Sequence, residues 1–280
     1  MHTTVTLKAM KENNEKIAMM TAYDAPGAAV VETGGIDLIL VGDSAGMVIH
    51  GYDSTVPVTL EDMLLHTRAV RRGAKDTFVV TDIPFLLAHM DIAESMRAAY
   101  RVMQEGGAHA IKLEGASQEV MQLTERLTAG GVPVMGHLGL TPQHANVLGG
   151  FKVQAKEEEA ARQLLKDAEA LEAAGAFAIV LECIPAQLAE QVTKHVSVPV
   201  IGIGAGAHTD GQVLVFHDAV GFGTGHVPKF VKTYANIYET VAEAVETYVT
   251  DVKSGAFPEK KHTFQMNEDV AGRLYKGVES

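Results

Sequence analysis

Residues 37–44 read DLILVGDS, a short apolar run that ends in an aspartate and a serine. Further runs of this kind are FVVTD at 78–82, AIKLE at 110–114, VPVMGH at 132–137, FAIVLE at 177–182 and VPVIGIGAG at 198–206. Short runs rich in β-branched residues, separated by segments long enough for a helix, are typical of parallel strands in βα units. The pattern therefore predicts an α/β protein built on a parallel sheet.

The series reaches eight strands if one is added before it and one after it. Residues 16–21 predict the first strand and residues 218–222 the eighth. The alternative is a doubly wound sheet, which usually has fewer strands and a glycine-rich turn after the first strand. Here the first strand is followed by AYDAP at 22–26. We therefore expect a (β/α)8 TIM barrel, a single domain over residues 1–280, with a C-terminal helical extension from about residue 255.

Helices are predicted between the strands and after them. Thr59, with Asp62 three residues later, is typical of an N-cap followed by an acidic N3 residue. Residues 156–171 are strongly amphipathic and end near a glycine. Residues 230–251 place tyrosine, isoleucine and valine on one side at helical spacing, which predicts a long helix. The tail from residue 257 is expected to be irregular, with a helix near 269–275.

The charge and the cysteine count argue against several classes of protein. The formal net charge is −12 with no basic block to offset it, which argues against nucleic acid or an anionic membrane as partner. The single cysteine, Cys183, excludes an intramolecular disulfide and a cysteine-based metal cage. The N-terminus lacks the apolar core of a signal peptide, and no run reaches the roughly 18 apolar residues of a membrane span. We expect a cytoplasmic protein.

Three acidic residues stand at the ends of consecutive predicted strands: Asp43, Asp82 and Glu114. In a parallel barrel the carboxyl ends of the strands meet on one face, which carries the chemistry of such folds. Buried carboxylates are costly without compensation, and carboxylate oxygens with water suit Mg²⁺. The alternative is that each acid caps the helix after its strand. Their occurrence on three successive strands favours a metal site.

Two further side chains are expected beside these acids. Lys112 precedes Glu114 by two residues, so both point to the same side of the strand. If that side is the interior, Lys112 can bind an anionic substrate; a structural ion pair with Asp82 or Glu114 is the alternative. Ser44 follows Asp43 and can donate a hydrogen bond to a carboxylate, or it can be a turn or cap serine.

Glu182 ends the sixth predicted strand, across the barrel from the three acids. A glutamate that faces a metal-bound substrate from that side is well placed as a general base; the alternative is a charge paired with a lysine or an arginine. His137 ends the fifth strand and can orient a substrate or a metal-bound water, or it is a structural histidine. Cys183 is interpreted as a packing residue, because nothing nearby marks a thiolate.

The glycines of GIGAG at 202–206 allow two interpretations. They resemble the phosphate-binding turns found late in many barrels. They also fit a tight turn where the backbone passes close to a ligand or a helix. Their late position in the chain argues against a dinucleotide site.

Seven segments carry a resemblance to a known enzyme family. They are MMTAYDA at 19–25, VGDSAGM at 41–47, VTLEDM at 58–63, IKLEG at 111–115, VPVMGHLGLTPQ at 132–143, LECIP at 181–185 and IGIGAG at 201–206. Together they resemble the ketopantoate hydroxymethyltransferases, and the resemblance runs from about residue 7 to residue 264. The stretch at 132–143 and the pair formed by Asp43 and Ser44 are its most specific parts.

The resemblance implies a transferase that moves a hydroxymethyl group from 5,10-methylenetetrahydrofolate to 3-methyl-2-oxobutanoate. The product would be 2-dehydropantoate, on the way to pantothenate and coenzyme A. One Mg²⁺ per subunit would polarise the 2-oxoacid and stabilise its enolate. The usual family assembly is a homodecamer.

The resemblance also assigns roles to particular residues. It implies a metal site at Asp43, Asp82 and Glu114. It implies a 2-oxoacid site at Asp43, Ser44, Asp82 and Lys112, to which His137 is added because it ends a strand. It implies that Glu182 accepts the proton.

Two other functions remain open. A lyase or mutase related to isocitrate lyase would also use Mg²⁺ and a 2-oxoacid enolate, but the lyases carry a Lys-x-Cys-Gly-His loop that this sequence lacks. A non-catalytic barrel that binds an anionic metabolite predicts metal-independent binding and no proton exchange. The sequence leaves open the folate contacts, the oligomer size and the choice among Mg²⁺, Mn²⁺ and Co²⁺.

Overall fold

Eight parallel strands follow one another around a closed barrel, in which β8 pairs with β1. The computed structural model describes residues 1–144, 147, 149–150, 152–223, 225 and 227–276. The strands are β1 (Ile17–Thr21), β2 (Leu38–Val41), β3 (Phe78–Asp82), β4 (Ala110–Glu114), β5 (Val134–Gly139), β6 (Ala178–Glu182), β7 (Val200–Ile203) and β8 (Gly211–Leu214). The closed barrel confirms the expected (β/α)8 fold, and the doubly wound alternative is wrong.

Helices alternate with most of the strands. They are α1 (Thr4–Glu12), α2 (Ala25–Thr33), α3 (Ala45–Val48), α4 (Leu60–Gly73), α5 (Ile92–Gln104), α6 (Gln118–Ala129), α7 (Glu158–Ala173), α8 (Ala186–His195) and α9 (Phe216–Val220). The predicted cap of α4 is confirmed, since Thr59 and Asp62 each accept a hydrogen bond from the other's backbone N–H. No helix in the described part of the chain is long and apolar enough to cross a membrane.

The eighth strand lies earlier than the sequence predicted. Residues 211–214 form β8, whereas Phe216–Val220, which overlaps the predicted strand at 218–222, forms the helix α9. The sequence pattern does not predict β8, because this strand reads GQVL, with an exposed glutamine and a glycine instead of an apolar run. The glycine is required by packing, since a Cβ at Gly211 would lie 2.3 Å from the carbonyl oxygen of Ile17.

The chain divides into two compact units, Met1–Tyr234 and Ala235–Ser280. The second unit contains α10 (Ile237–Ser254), a 3₁₀ turn at Lys260–His262 and α11 (Glu268–Lys276). The expected helix at 269–275 is confirmed. The helix expected at 230–251 begins only at residue 237, and the number of domains stays a prediction.

The late start of α10 has a tertiary cause. Phe230 packs against the apolar interior of the barrel, and the backbone N–H of Tyr234 donates to the carbonyl of Ala219 at 2.7 Å. This stretch therefore uses its side chains and backbone in contacts with the barrel instead of in helical hydrogen bonds. The apolar side predicted for the helix remains on α10, where Tyr238, Val241 and Val245 are exposed.

α1 closes the amino end of the barrel. Its Leu7 is 1% exposed and joins the apolar cluster that fills the barrel interior, a burial that contributes roughly 1.5–3 kcal/mol. Lys11 Nζ donates to the carbonyl oxygens of Thr193 and Val198, each at 2.8 Å, and lies 2.9 Å from a carboxylate oxygen of Asp210. These partners precede β7 and β8. The amino end of the barrel is thus closed by an apolar contact and by an ion pair, both made by α1.

A histidine ahead of β4 makes the stability of the barrel sensitive to acid. Nδ1 of His109 accepts a hydrogen bond from the backbone N–H of Val79 at 2.9 Å, so this nitrogen must be unprotonated. Burial, with the charge of Arg71, lowers the pKa of His109 to about 4. Between pH 6.5 and 4 the unfolded chain binds the proton more readily than the folded chain, so the free energy of unfolding falls as pH falls.

We predict that His109→Gln, which offers an amide oxygen to the same N–H, removes part of this acid sensitivity. Between pH 6.5 and 4 the parent should lose about 1–2 kcal/mol more than the variant, a figure reduced for partial solvent exposure. Urea unfolding at a series of pH values measures it, with the exposed His208→Gln as control. Parallel pH curves for the parent and His109→Gln would contradict the prediction.

Candidate active site

Ionic side chains from neighbouring strands meet at the carboxyl end of the barrel. The strand register places Asp82 beside Lys112 and Glu114 beside His137. These side chains form an ionic cluster that consists of Asp43, Asp82, Lys112, Glu114, His137 and Glu182. Every member of the ionic cluster is buried except Glu182, whose side chain is 15% exposed. Their convergence agrees with the sequence expectation, while their roles stay predictions.

The three acids do not cap helices. The side-chain caps of α4, α5 and α6 are Thr59, Asp91 and Ser117. α3, which follows Asp43, begins without a side-chain cap hydrogen bond. The capping alternative is therefore wrong, and another reason is needed for the burial of three carboxylates in one place.

Lys112 is the central cation of the cluster. Its Nζ lies 2.9 Å from Oδ1 of Asp82 and 3.8 Å from Oε1 of Glu114. Although burial opposes its charge, the carboxylates of Asp82, Glu114 and Asp43 raise the pKa of Lys112 above its ordinary value. The structural ion pair considered for Lys112 is therefore present, while its role toward an anionic substrate stays a prediction.

Asp43 is the acid with the least compensation. Burial, followed by the charges of Asp82 and Glu114, raises its pKa well above the ordinary value. Burial also raises the pKa of Asp82, against the opposing effect of Lys112. Burial acts in the same direction on Glu114, but the hydrogen bond and charge of His137, with Lys112, outweigh it and lower the pKa of Glu114.

His137 connects the acids to Glu182. Its Nδ1 lies 3.2 Å from Oε1 of Glu114, and its Nε2 lies 3.2 Å from Oε2 of Glu182. Burial and the charge of Lys112 lower the pKa of His137, but the two carboxylates outweigh them and raise it to about 9. The ring is therefore a cation at neutral pH. The contact with Glu182 is an ion pair, and Nε2 of His137 makes no hydrogen bond within the described part of the chain.

Ser44 forms a pair with a tyrosine that the sequence reading did not single out. Its Oγ lies 2.9 Å from the hydroxyl of Tyr23, which follows β1. Tyr23 is buried, and that burial raises its pKa above the ordinary value. In the sequence, the only indication of a role for Tyr23 is its position within the family segment at 19–25. Ser44 is the N-cap residue of α3 by position, but its side chain accepts no cap hydrogen bond from the helix backbone, so its hydroxyl does not cap the helix.

Gln143 also joins the ionic cluster without having been singled out. It lies in the 3₁₀ turn Pro142–His144, after β5, and is buried. Its Nε2 donates to Oδ2 of Asp43 at 2.7 Å, and its backbone N–H donates to Oε2 of Glu114 at 3.1 Å. The signal that could have found it was its position at the end of the specific stretch 132–143.

The glycine turn and the cysteine are explained by packing. A Cβ at Gly206 would lie 2.4 Å from the Cβ of Ala186, the first residue of α8, so the tight-turn interpretation accounts for this position. β6 ends at Glu182, and Cys183 has a positive φ of 47°. Burial and the charge of Glu182 raise the pKa of the Cys183 thiol to about 11, so it stays protonated at neutral pH.

The free atoms of the cluster fit a divalent cation held by few protein ligands. Among the described residues no hydrogen bond reaches Oδ1 of Asp43, and Oδ1 of Asp82 is buried with only Lys112 beside it. Both oxygens of Glu114 are already in contact with His137 or Gln143. Among the residues that the structure describes, no group of three His, Cys, Asp or Glu side chains forms a ready metal site. Mg²⁺ does not require such a group, since it keeps several waters and substrate oxygens as ligands.

The solved structures that resemble this chain have the same barrel. A phosphonopyruvate hydrolase matches with a TM-score of 0.61 and 15% identity, covering 100% of this chain and 98% of the other. A 2,3-dimethylmalate lyase of the PEP mutase/isocitrate lyase superfamily matches with a TM-score of 0.60 and 15% identity, covering 100% and 94%. At this identity the likeness shows the fold alone.

The fold is thus a (β/α)8 barrel. The carboxyl ends of its strands carry an ionic cluster of the kind typical of an enzyme active site. The family model for ketopantoate hydroxymethyltransferase matches residues 1–260. The 3-methyl-2-oxobutanoate hydroxymethyltransferase of Halalkalibacterium halodurans is 58% identical over 99% of each chain, and that of Geobacillus sp. is 56% identical over 96% of each. The chain belongs to the ketopantoate hydroxymethyltransferase family, which is a family of enzymes.

We predict that Lys112→Met destabilises the metal-free protein by about 3–5 kcal/mol at pH 7.5, because it leaves buried carboxylates without their cation. The loss should be smaller at pH 5 than at pH 7.5, because burial raises the pKa of Asp43 and of Asp82 and so favours their neutral forms as the pH falls. Urea unfolding in the presence of a chelator measures both values.

The matched control is Lys194→Met, which breaks the exposed pair of Lys194 with Glu190. Surface pairs contribute little, so this loss should stay below about 1 kcal/mol. Equal losses for the two lysine variants would contradict the prediction.

Proposed function

We propose that this protein transfers a hydroxymethyl group from 5,10-methylenetetrahydrofolate to 3-methyl-2-oxobutanoate, giving 2-dehydropantoate for pantothenate and coenzyme A synthesis. Membership in the ketopantoate hydroxymethyltransferase family supports the acceptor and the transfer. The observation that carries the mechanism is the chain of contacts from the three acids through His137 to Glu182. On this proposal, the residues that would hold a cation and the residue that would act as the base are different carboxylates of one ionic cluster.

One Mg²⁺ per subunit is proposed to bind at Asp43 and Asp82. Glu114, whose two carboxylate oxygens already have hydrogen-bond partners, would contribute its negative charge. When bound, the ion supplies a Lewis acid for the keto and carboxylate oxygens of the 2-oxoacid, which acidifies the neighbouring C–H. Lys112 provides a fixed positive charge for the anionic substrate, and Ser44 a hydroxyl donor. His137 is proposed to contact the substrate from the fifth strand.

Glu182 is proposed to remove the proton from C3 of the 2-oxoacid. It is the one carboxylate of the cluster that is partly exposed, so a substrate can reach it. The cationic ring of His137 holds its carboxylate in place at 3.2 Å. After proton removal, C3 bonds to the methylene carbon of the folate as one of the two C–N bonds of that carbon breaks. Water then cleaves the second C–N bond, so that the hydroxyl stays on the product, and the protons from C3 and from water end on the two nitrogens of the released tetrahydrofolate.

Cytoplasmic location and assembly as a homo-oligomer, a decamer by family resemblance, are part of the same proposal. A decamer would have ten times the 29.9 kDa mass of the chain in sedimentation equilibrium.

We predict that Glu182→Gln slows exchange of the C3 hydrogen of 3-methyl-2-oxobutanoate in deuterated water by about 10²–10⁴-fold, because the amide cannot accept the proton. Binding of Mg²⁺ and of the 2-oxoacid should change little. Proton NMR follows the exchange, and calorimetry follows the binding. The control is Glu190→Gln on the exposed side of α8. Exchange at the parent rate in Glu182→Gln would rule out this base.

The metal is tested by binding alone. We expect 3-methyl-2-oxobutanoate to bind at least about tenfold more tightly with Mg²⁺ present than after chelation, since the ion would neutralise the uncompensated acids. Equal binding in both conditions would overturn the proposed metal site. Cleavage of a 2-hydroxy-dicarboxylate without consumption of the folate would favour the lyase.

A further inference from the structure

Gln143 is the neutral residue most closely tied to the ionic cluster. It is 8% exposed and comes from the turn after β5, yet its contacts lie on the three preceding strands. Its Nε2 donates to Oδ2 of Asp43 at 2.7 Å and to the carbonyl oxygen of Ile83 at 3.0 Å. Its backbone N–H donates to Oε2 of Glu114 at 3.1 Å. One residue therefore connects the ends of β2, β3 and β4.

These contacts fix the orientation of the Gln143 amide. Both partners of Nε2 are acceptors, so an amide turned the other way would set its oxygen against a carboxylate and a carbonyl. Both protons of Nε2 are used, and neither is left for a substrate. The donors of Gln143 therefore act on the chemistry through the groups that they hold.

The same contacts divide the oxygens of the acids into two sets. Oδ2 of Asp43 is occupied by Gln143, and among the described residues Oδ1 receives no hydrogen bond. Oε1 of Glu114 is occupied by His137 and Oε2 by Gln143. Gln143 thus selects which oxygen of Asp43 remains available and keeps Glu114 turned away as a fixed charge.

A glutamine suits this position for electrostatic reasons. A buried carboxylate needs donors, and a cation here would compete with the divalent ion proposed at the same acids. An amide donates without adding charge. Partners that orient the ligands of a metal typically change its affinity by 10–100-fold when they are removed.

We propose that Gln143 is a positioning residue that orients Asp43 for a divalent cation and so sets the affinity of the ionic cluster for that ion. The inference rests on the proposed function, because it takes Asp43 to be a cation ligand. It assigns to the turn at Pro142–His144 a part in the chemistry that the ionic residues alone do not reveal.

The test compares Gln143→Leu and Gln143→Asn with the parent, using Mn²⁺ as the probe. Leucine keeps most of the volume and removes the donors, while asparagine keeps the amide on a shorter side chain. Electron paramagnetic resonance of free Mn²⁺ gives its dissociation constant without any turnover. We expect Gln143→Leu to weaken Mn²⁺ binding by about 10–100-fold, and Gln143→Asn to recover part of that loss.

Kinetics of C3 hydrogen exchange supply a second measurement. In Gln143→Leu at saturating Mn²⁺ the KM for 3-methyl-2-oxobutanoate should stay within about threefold of the parent, because Gln143 has no free donor for the substrate. The cation concentration for half-maximal exchange should rise in parallel with the dissociation constant. A residue needed only for folding would not move this concentration in protein with a parent-like circular dichroism spectrum.

The matched control is Gln163→Leu, which removes a glutamine-to-aspartate hydrogen bond of 2.8 Å on the exposed face of α7. It should leave the Mn²⁺ affinity unchanged. If the parent binds Mn²⁺ and a folded Gln143 variant binds it equally well, the positioning role is overturned while the proposed function stands. If the parent binds no Mn²⁺, both are overturned. Gln143→Asn carries the same comparison should Gln143→Leu fail to fold.

Discussion

The ion pair between Lys112 and Asp82, 2.9 Å long and almost wholly buried, is the interaction on which the site depends. Four carboxylates and two cations share a space from which water is largely excluded. Without Lys112, Asp82 and Glu114 would lose the positive charge that faces both. Buried charges of one sign are tolerated only when others of opposite sign and well-placed donors surround them. The remaining contacts of the cluster supply those partners.

The barrel provides these contacts through its register. Lys112 and Glu114 lie on one side of β4, so they meet Asp82 from β3 and His137 from β5 without any long loop. α1 closes the other end with Leu7 and Lys11. The apolar interior and the ionic face therefore occupy different parts of the same strands.

Much of this could be predicted from strand ends and from the family segments. Period-two alternation places Lys112 and Glu114 on one face, and parallel strands bring the acid ends together. β8 could not be found in this way, because its packing requires Gly211 where an apolar run would be sought. The start of α10 depends on a hydrogen bond from Tyr234 to the distant Ala219. Helical spacing cannot report such a contact.

The two contacts of His137 connect an acid of the proposed cation site with the carboxylate proposed as the base. A single ring touches Glu114 on one side and Glu182 on the other, so a shift of either carboxylate changes the electrostatic environment of both. Under the proposed function, cation binding and proton removal by Glu182 would then be linked in one thermodynamic cycle instead of being two independent equilibria. An inhibitor that displaced only the ring, and touched neither substrate nor ion, would uncouple that cycle.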